Sequence, residues 1–144
     1  MIINPFGPYS FVNNTIAVGG INSYSEPLEQ FGLIMNVARE FYLSPEDSTI
    51  RDQVVRQAQL DDTDKIEPQV PEVLRAVGLV HAARIEGKMV LVTCAAGRNR
   101  SALVVAEYII QHGHDAKKVV SGIQARRANS LTNQAFVNWL LRRR

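Results

Sequence analysis

A single cysteine, Cys94, is present in the 144 residues, so the chain cannot form an internal disulfide. That suits a reducing cytoplasm, and it leaves no second thiol to protect an oxidised Cys94. Long apolar runs are also missing: none approaches the roughly 18 residues that cross a bilayer. The start, Met1-Ile2-Ile3-Asn4-Pro5, lacks the charged region and apolar core of a secretory signal. Net charge is only +2, too mild to point by itself to nucleic acid. Repeats and low-complexity tracts are absent. What the chain does have is apolar content: at 46% hydrophobic it can bury a core without metal or disulfide. One compact domain over residues 1–144 is expected.

Strand-like and helix-like segments alternate. Residues 15–18 read as a short strand, broken by Gly19-Gly20. Ser25-Glu26-Pro27 predicts a short helix that stops at Gly32. Leu33–Ala38 is an apolar run of strand length, Ser44-Pro45-Glu46-Asp47 resembles a helix start, and Val54–Leu60 reads as a strand with mixed faces. Pro71-Glu72 opens the clearest helix, with Val73, Leu74, Val77 and Val80 on one side and an end near Gly87. A buried strand at 89–92 follows, then helical runs over 100–112, 115–127 and 132–142, with Asp115 and Thr132 as N-caps of the last two. The alternation predicts an α/β fold, a central mostly parallel sheet with helices on both faces.

Between that strand and the next helix lies Thr93-Cys94-Ala95-Ala96-Gly97-Arg98-Asn99-Arg100-Ser101. A tight loop feeding a helix N-terminus converges backbone N–H groups on one point, and the helix dipole adds partial positive charge there. The same field favours thiolate over thiol in Cys94, which makes it a nucleophile. Arg100 supplies a rigid fork of donors for two phosphate oxygens. Ala95, Ala96, Gly97, Arg98 and Asn99 are expected to bind phosphate through their N–H groups, with Gly97 permitting a backbone conformation or close approach closed to a Cβ. Arg98 also carries a long cationic side chain, either solvated or able to reach a second phosphate. Bland alternatives exist for each residue: Cys94 as a core cysteine, Arg100 as a surface arginine, Ser101 as a cap only.

Cys94-x5-Arg100-Ser101, with Gly97 in the middle, resembles the signature loop of the protein tyrosine phosphatase superfamily, and within it the small dual-specificity phosphatases. The spacing alone is weak; strand before and helix after make it specific. The resemblance extends over Ile16-Ala17-Val18-Gly19-Gly20, Leu28 to Val37, Arg127, and Asn133 to Leu140 with Phe136, while 39–59 diverges. It implies a cysteine-dependent phosphatase of phosphotyrosine, with phosphoserine and phosphothreonine as further substrates. A phosphocysteine intermediate is implied, and neither metal nor cofactor. It implies a proton donor about thirty residues before the cysteine, where Leu60-Asp61-Asp62-Thr63-Asp64 stands. Asp62 is the first choice, Asp61 the second and Asp64 the third. The bland reading of these acids is a solvated turn. Ser101 would ease departure of the thiolate.

Thr93 departs from the resemblance, since histidine usually precedes the nucleophile. Reduced turnover is expected from that exchange, not inactivity. Phosphoinositide, RNA 5′-end phosphate and a phosphate-binding module without turnover are the rival functions, with nucleic acid the weaker partner; a scaffold acting through its surface is the last. His112-Gly113-His114 reads as a helix end and His81 as packing or surface. Arg126-Arg127 and Arg142-Arg143-Arg144 read as solvated faces, and Trp139 with Phe136 and Leu140 as the core side of the last helix.

Overall fold

The computed structural model describes residues 5–43 and 53–142; the helix start expected at Ser44 lies outside them. Among the described residues, five strands form one sheet in the order β1-β2-β5-β3-β4. They are β1 (Tyr9–Phe11), β2 (Ile16–Gly19), β3 (Leu33–Ala38), β4 (Val54–Leu60) and β5 (Val90–Thr93). Only β1 runs antiparallel, as an edge strand against β2. The inner strands are parallel, with β5 between β2 and β3: Val92 is paired with Val18 on one side and Met35 on the other. Every residue of β2, β3 and β5 is buried, as expected of parallel strands covered on both faces. Along β4, at the other edge, Ala58 and Leu60 are buried while Arg56 and Gln59 are exposed.

All four α-helices among the described residues pack on one face. These are α1 (Val70–Ile85), α2 (Arg100–Gln111), α3 (Ala116–Arg126) and α4 (Gln134–Leu140). Their apolar sides meet Ile16, Val18, Leu33, Met35, Val90 and Val92 in the larger core. The opposite face departs from expectation. Ala17, Ile34 and Leu91 are covered there by Leu28, Phe31 and Leu43, with Tyr9, Phe11, Tyr24 and Phe41 around them. The predicted helix from Ser25 does not form. A 3-10 turn occupies Ile21–Ser25 instead, and the chain then crosses the sheet without helix. Pro27 and Gly32 bracket too few residues to nucleate one, and burying Leu28 and Phe31 outweighs local preference.

The edge strand β1 was not anticipated, and the other predicted elements that fall on described residues match to within a residue or two. Pro71 occupies the first turn of α1, where its missing N–H costs nothing, and Gly87 closes that helix at φ +78°. Asp115 caps α3 by accepting from the Lys118 N–H at 3.0 Å. For α4 the cap is Asn133, not Thr132: Asn133 Oδ1 accepts from the Phe136 N–H at 3.1 Å, while the Thr132 hydroxyl is turned to Asn99. Phe136 and Leu140 are fully buried, but Trp139 is half-buried with Arg142 over its ring. Arg142 is no free surface charge, because it pairs with the buried Glu107 at 3.2 Å. His81 is exposed on α1, its Nδ1 3.2 Å from His112 Nε2. No described helix is long and apolar enough to cross a membrane.

Candidate active site

Because β5 lies in the middle of the sheet, its C-terminal end opens onto the crevice where ligands bind in parallel α/β sheets. Cys94 follows β5 directly and α2 begins at Arg100, so residues 95–99 must turn the chain through a tight loop. Its carbonyls are tied outward. Ala95 O accepts from the Ile21 N–H at 3.1 Å, Gly97 O from Arg127 Nε at 2.7 Å, and Arg98 O from the Leu131 N–H at 2.8 Å. In a trans peptide the N–H points opposite its carbonyl. The N–H groups of Ala96, Arg98 and Asn99 therefore face inward. None of the N–H groups from Ala95 to Arg100 has an acceptor among the described residues. This inward ring of donors forms a cradle whose geometry suits an anion.

Gly97 makes the loop possible. It adopts φ +69°, and a Cβ there would lie 2.5 Å from Gly19 C and Gly20 N. The loop thus rests directly on the Gly19-Gly20 backbone: a Cβ at Gly20 would lie 2.9 Å from Ala95 O, whereas one at Gly19 would crowd Ser23 and Pro8 instead.

Cys94 is 2% exposed, and its Sγ lies 3.3 Å from the hydroxyl of the fully buried Ser101 in the first turn of α2. Arg100 is held end-on. Its two terminal nitrogens donate to Glu40 at 2.6 and 2.7 Å, and one also donates to Leu60 O at 3.0 Å. Glu40 holds the guanidinium above its ordinary pKa, and Arg100 brings the Glu40 carboxyl down to about 2. The Nε edge of the Arg100 fork has no partner among the described residues, which leaves a side-on pair of donors for an anion.

The three candidate acids separate cleanly. Asp61 pairs outward with Arg39 at 2.9 Å. Asp64 lines a cleft with Ala135, Asn138 and Trp139 of α4. Asp62 alone is joined to the loop: Asn99 Nδ2 donates to one oxygen at 3.0 Å, and Asn133 Nδ2 to the other at 2.7 Å. Asn99 was expected to matter through its N–H; its side chain is in fact the bridge between loop and acid. It also accepts from the Asn133 N–H at 2.9 Å.

Sequence reasoning missed Glu40 and misjudged Arg127. Glu40 lies in the divergent stretch after β3, where its only signal is proximity to Asn36. That asparagine, fully buried, donates to Ala38 O and Phe41 O and so shapes the turn carrying Glu40. Arg127, read as a solvated face, is 6% exposed. It donates to Gly97 O, to Gly7 O at 2.7 Å and to Ser10 Oγ at 3.1 Å. Burial pulls its pKa down, the Cys94 charge opposes that, and Arg98 adds to it. Arg98 is exposed, and with Arg127, Asn22 and Asn129 it lines a cleft of about 190 Å³ beside the loop. Among the described residues, no cluster of three or more histidines, cysteines, aspartates or glutamates could hold a metal.

Solved structures of similar shape include phosphatases. Human DUSP28 aligns over 93% of this chain and 90% of its own, with a TM-score of 0.80 and 21% identity. OH1 from the Orf virus, a tyrosine phosphatase described as having triple substrate specificity, aligns over 94% of this chain and 86% of its own (TM-score 0.74, 17% identity). PTPMT1 in complex with PI(5)P aligns over 94% and 93%, with a TM-score of 0.76 and 18% identity. At these identities the likeness is one of fold. No curated protein matches the chain in sequence. Residues 23–144 match the family described as dual specificity phosphatase, catalytic domain, and they include the whole of the cradle, Glu40 and Asp62. The chain belongs to the dual specificity phosphatase catalytic-domain family.

Proposed function

We propose that the chain hydrolyses phosphomonoesters of proteins, phosphotyrosine first and phosphoserine or phosphothreonine as further substrates, through a phosphocysteine intermediate. The observation that carries this reading is the inward cradle of N–H groups around Cys94, with Arg100 pre-oriented by Glu40. In the first step Cys94 Sγ bonds to phosphorus as the ester P–O bond breaks. Loop N–H groups and the Nε edge of Arg100 hold the three non-bridging oxygens, where matching the charge of the transition state is worth most. Asp62 gives its proton to the leaving oxygen. Water then attacks phosphorus, Asp62 takes the water proton, and the S–P bond breaks. Ser101 stabilises the departing thiolate from 3.3 Å. The positive charge comes from the chain itself, and a cytoplasmic setting would keep the single thiol reduced.

One observation favours a second reading. The cleft beside the loop is lined by two arginines, Arg98 and Arg127, and by no acid. A phosphomonoester flanked by another phosphate, as in a phosphoinositide or an RNA 5′ end, would use that excess.

The test is phosphate release without metal from a phosphotyrosine peptide, a phosphoinositide and triphosphate-ended RNA, with wild type and Cys94→Ser. Serine is a far weaker nucleophile, so a loss of about 10⁴-fold or more is expected. Turnover greatest on the peptide supports the first reading. A strong preference for lipid or RNA replaces it with the second, and phosphate binding without any turnover sinks both.

A further inference from the structure

Threonine stands before the nucleophile where the family resemblance implies histidine. The Thr93 hydroxyl is fully buried, so it needs a partner. Tyr24 supplies it, with the two hydroxyl oxygens 2.5 Å apart. Tyr24 reaches in from the 3-10 turn Ile21–Ser25, and its ring stacks on Phe41, centroids 6.1 Å apart and planes 13° from parallel. Phe41 is the neighbour of Glu40, and its carbonyl accepts from Asn36 Nδ2 at 2.5 Å. A continuous path therefore runs from Thr93 through Tyr24, Phe41 and Glu40 to Arg100.

We propose that Tyr24 is a positioning residue for the catalytic loop. Through the Thr93 hydroxyl it takes the place of the missing imidazole, and through Phe41 it ties the nucleophile's strand end to the turn that holds Arg100. The proposal rests on the phosphatase reading.

A phenol suits this work in a way an imidazole does not. Burial, helped by the Cys94 charge and opposed by the Thr93 hydrogen bond, pushes the Tyr24 pKa up to about 12. The hydroxyl therefore stays protonated and able to donate throughout the working range. The charged groups around Cys94 are Arg100 from α2 and Arg127 beyond α3, with Glu40 and Asp62 facing Arg100 from the loops after β3 and β4. None of these is an imidazole. With the end of β5 fixed, the loop N–H groups stay aimed at the anion; with it loose, the thiolate loses part of that support.

Alkylation of Cys94 by iodoacetamide across pH, beside kcat and KM on a phosphotyrosine peptide, tests the assignment. Tyr24→Phe keeps the ring and its stack but removes the hydroxyl. It should move the alkylation midpoint upward and lower kcat about 10-fold with KM within about 2-fold, the effect expected of one coupled hydrogen bond. Thr93→Val should do the same, the double variant should be no worse than either, and Thr93→Ser should recover most of the loss. An unmoved midpoint in Tyr24→Phe overturns the proposal, even if melting temperature and kcat fall, because that would be a structural effect alone. So does a double variant whose losses multiply. Should wild type show no turnover, the phosphatase reading fails, while the alkylation midpoints still decide the role of Tyr24.

Discussion

Nucleophile, loop donors and Ser101 come from one stretch, residues 94–101, whereas the groups that face them are gathered from across the chain. Glu40 meets Arg100 from 60 positions away, Asp62 meets Asn99 from 37, and Arg127 meets Gly97 from 30. The first half is set by local backbone: a glycine at positive φ, a strand end and a helix N-terminus. Little can change there without losing the cradle. The second half hangs on single side chains from exposed turns and one buried arginine, so its members should fail by degrees and by separable routes.

The deepest break in the gathered half should be at Asp62. Asp62→Asn keeps the shape and the contacts of one oxygen but removes the proton. A positioned general acid is worth about 10²–10⁴ in rate. The variant should lose about 10²–10³ in kcat on an alkyl phosphate and only a few-fold on para-nitrophenyl phosphate, whose leaving group needs little protonation. Parallel kinetics on the two esters checks this; equal losses on both would mean that Asp62 shapes the site and does not donate to the leaving group.

Arg127 comes next, because it links the two halves. Arg127→Met fills similar space while leaving Gly97 O and Gly7 O without their donor, a cost of about 1–3 kcal/mol at the buried Gly97 O and less at the half-buried Gly7 O. A lower melting temperature and a loss of about 10–100-fold in kcat/KM are expected. Lysine should not restore either, since it lacks the fork that reaches several acceptors together. Thermal melts with phosphate titrated in would sharpen the result. If the variant melts early yet binds phosphate as wild type does, Arg127 supports the fold and not the loop.

How much of this was legible follows the same division. The cradle could be read from spacing because its parts are adjacent, and the central parallel sheet from apolar runs at 33–38 and 89–92. Asp62 was expected by resemblance alone, and what sets it apart from Asp61 and Asp64 in the fold is contact with Asn99 and Asn133, which no local pattern encodes. Arg127 was misread for a related reason: beside Arg126 at a helix end it looks like a solvated pair, and only the fold shows that one of the two turns inward under the loop. The face covered by Leu28, Phe31 and Phe41 was expected to carry helix. Side chains scattered over irregular backbone have no period to detect.

The mildest break should be at Glu40, and pH gives it a distinctive signature. The carboxyl is brought from the usual carboxylate range down to about 2 by its hydrogen bonds to Arg100. A depressed acid contributes its stabilisation fully above its unfolded pKa and loses it as pH falls through the folded one. The Glu40–Arg100 pair is therefore intact above about pH 4–5 and fails only toward pH 2. Because the Glu40 side chain is 56% exposed, water screens the pair and the effect on overall stability should be small. Its work is to aim a fork. Glu40→Gln keeps one acceptor and loses the charge, so KM for phosphopeptide should rise and kcat/KM should fall about 10-fold. The ratio of wild type to variant should stay flat from pH 5 to 8, since Glu40 does not titrate there. A ratio that collapses to one as pH drops toward 5 would show that Glu40 ionises in the working range and that Arg100 is held by something else.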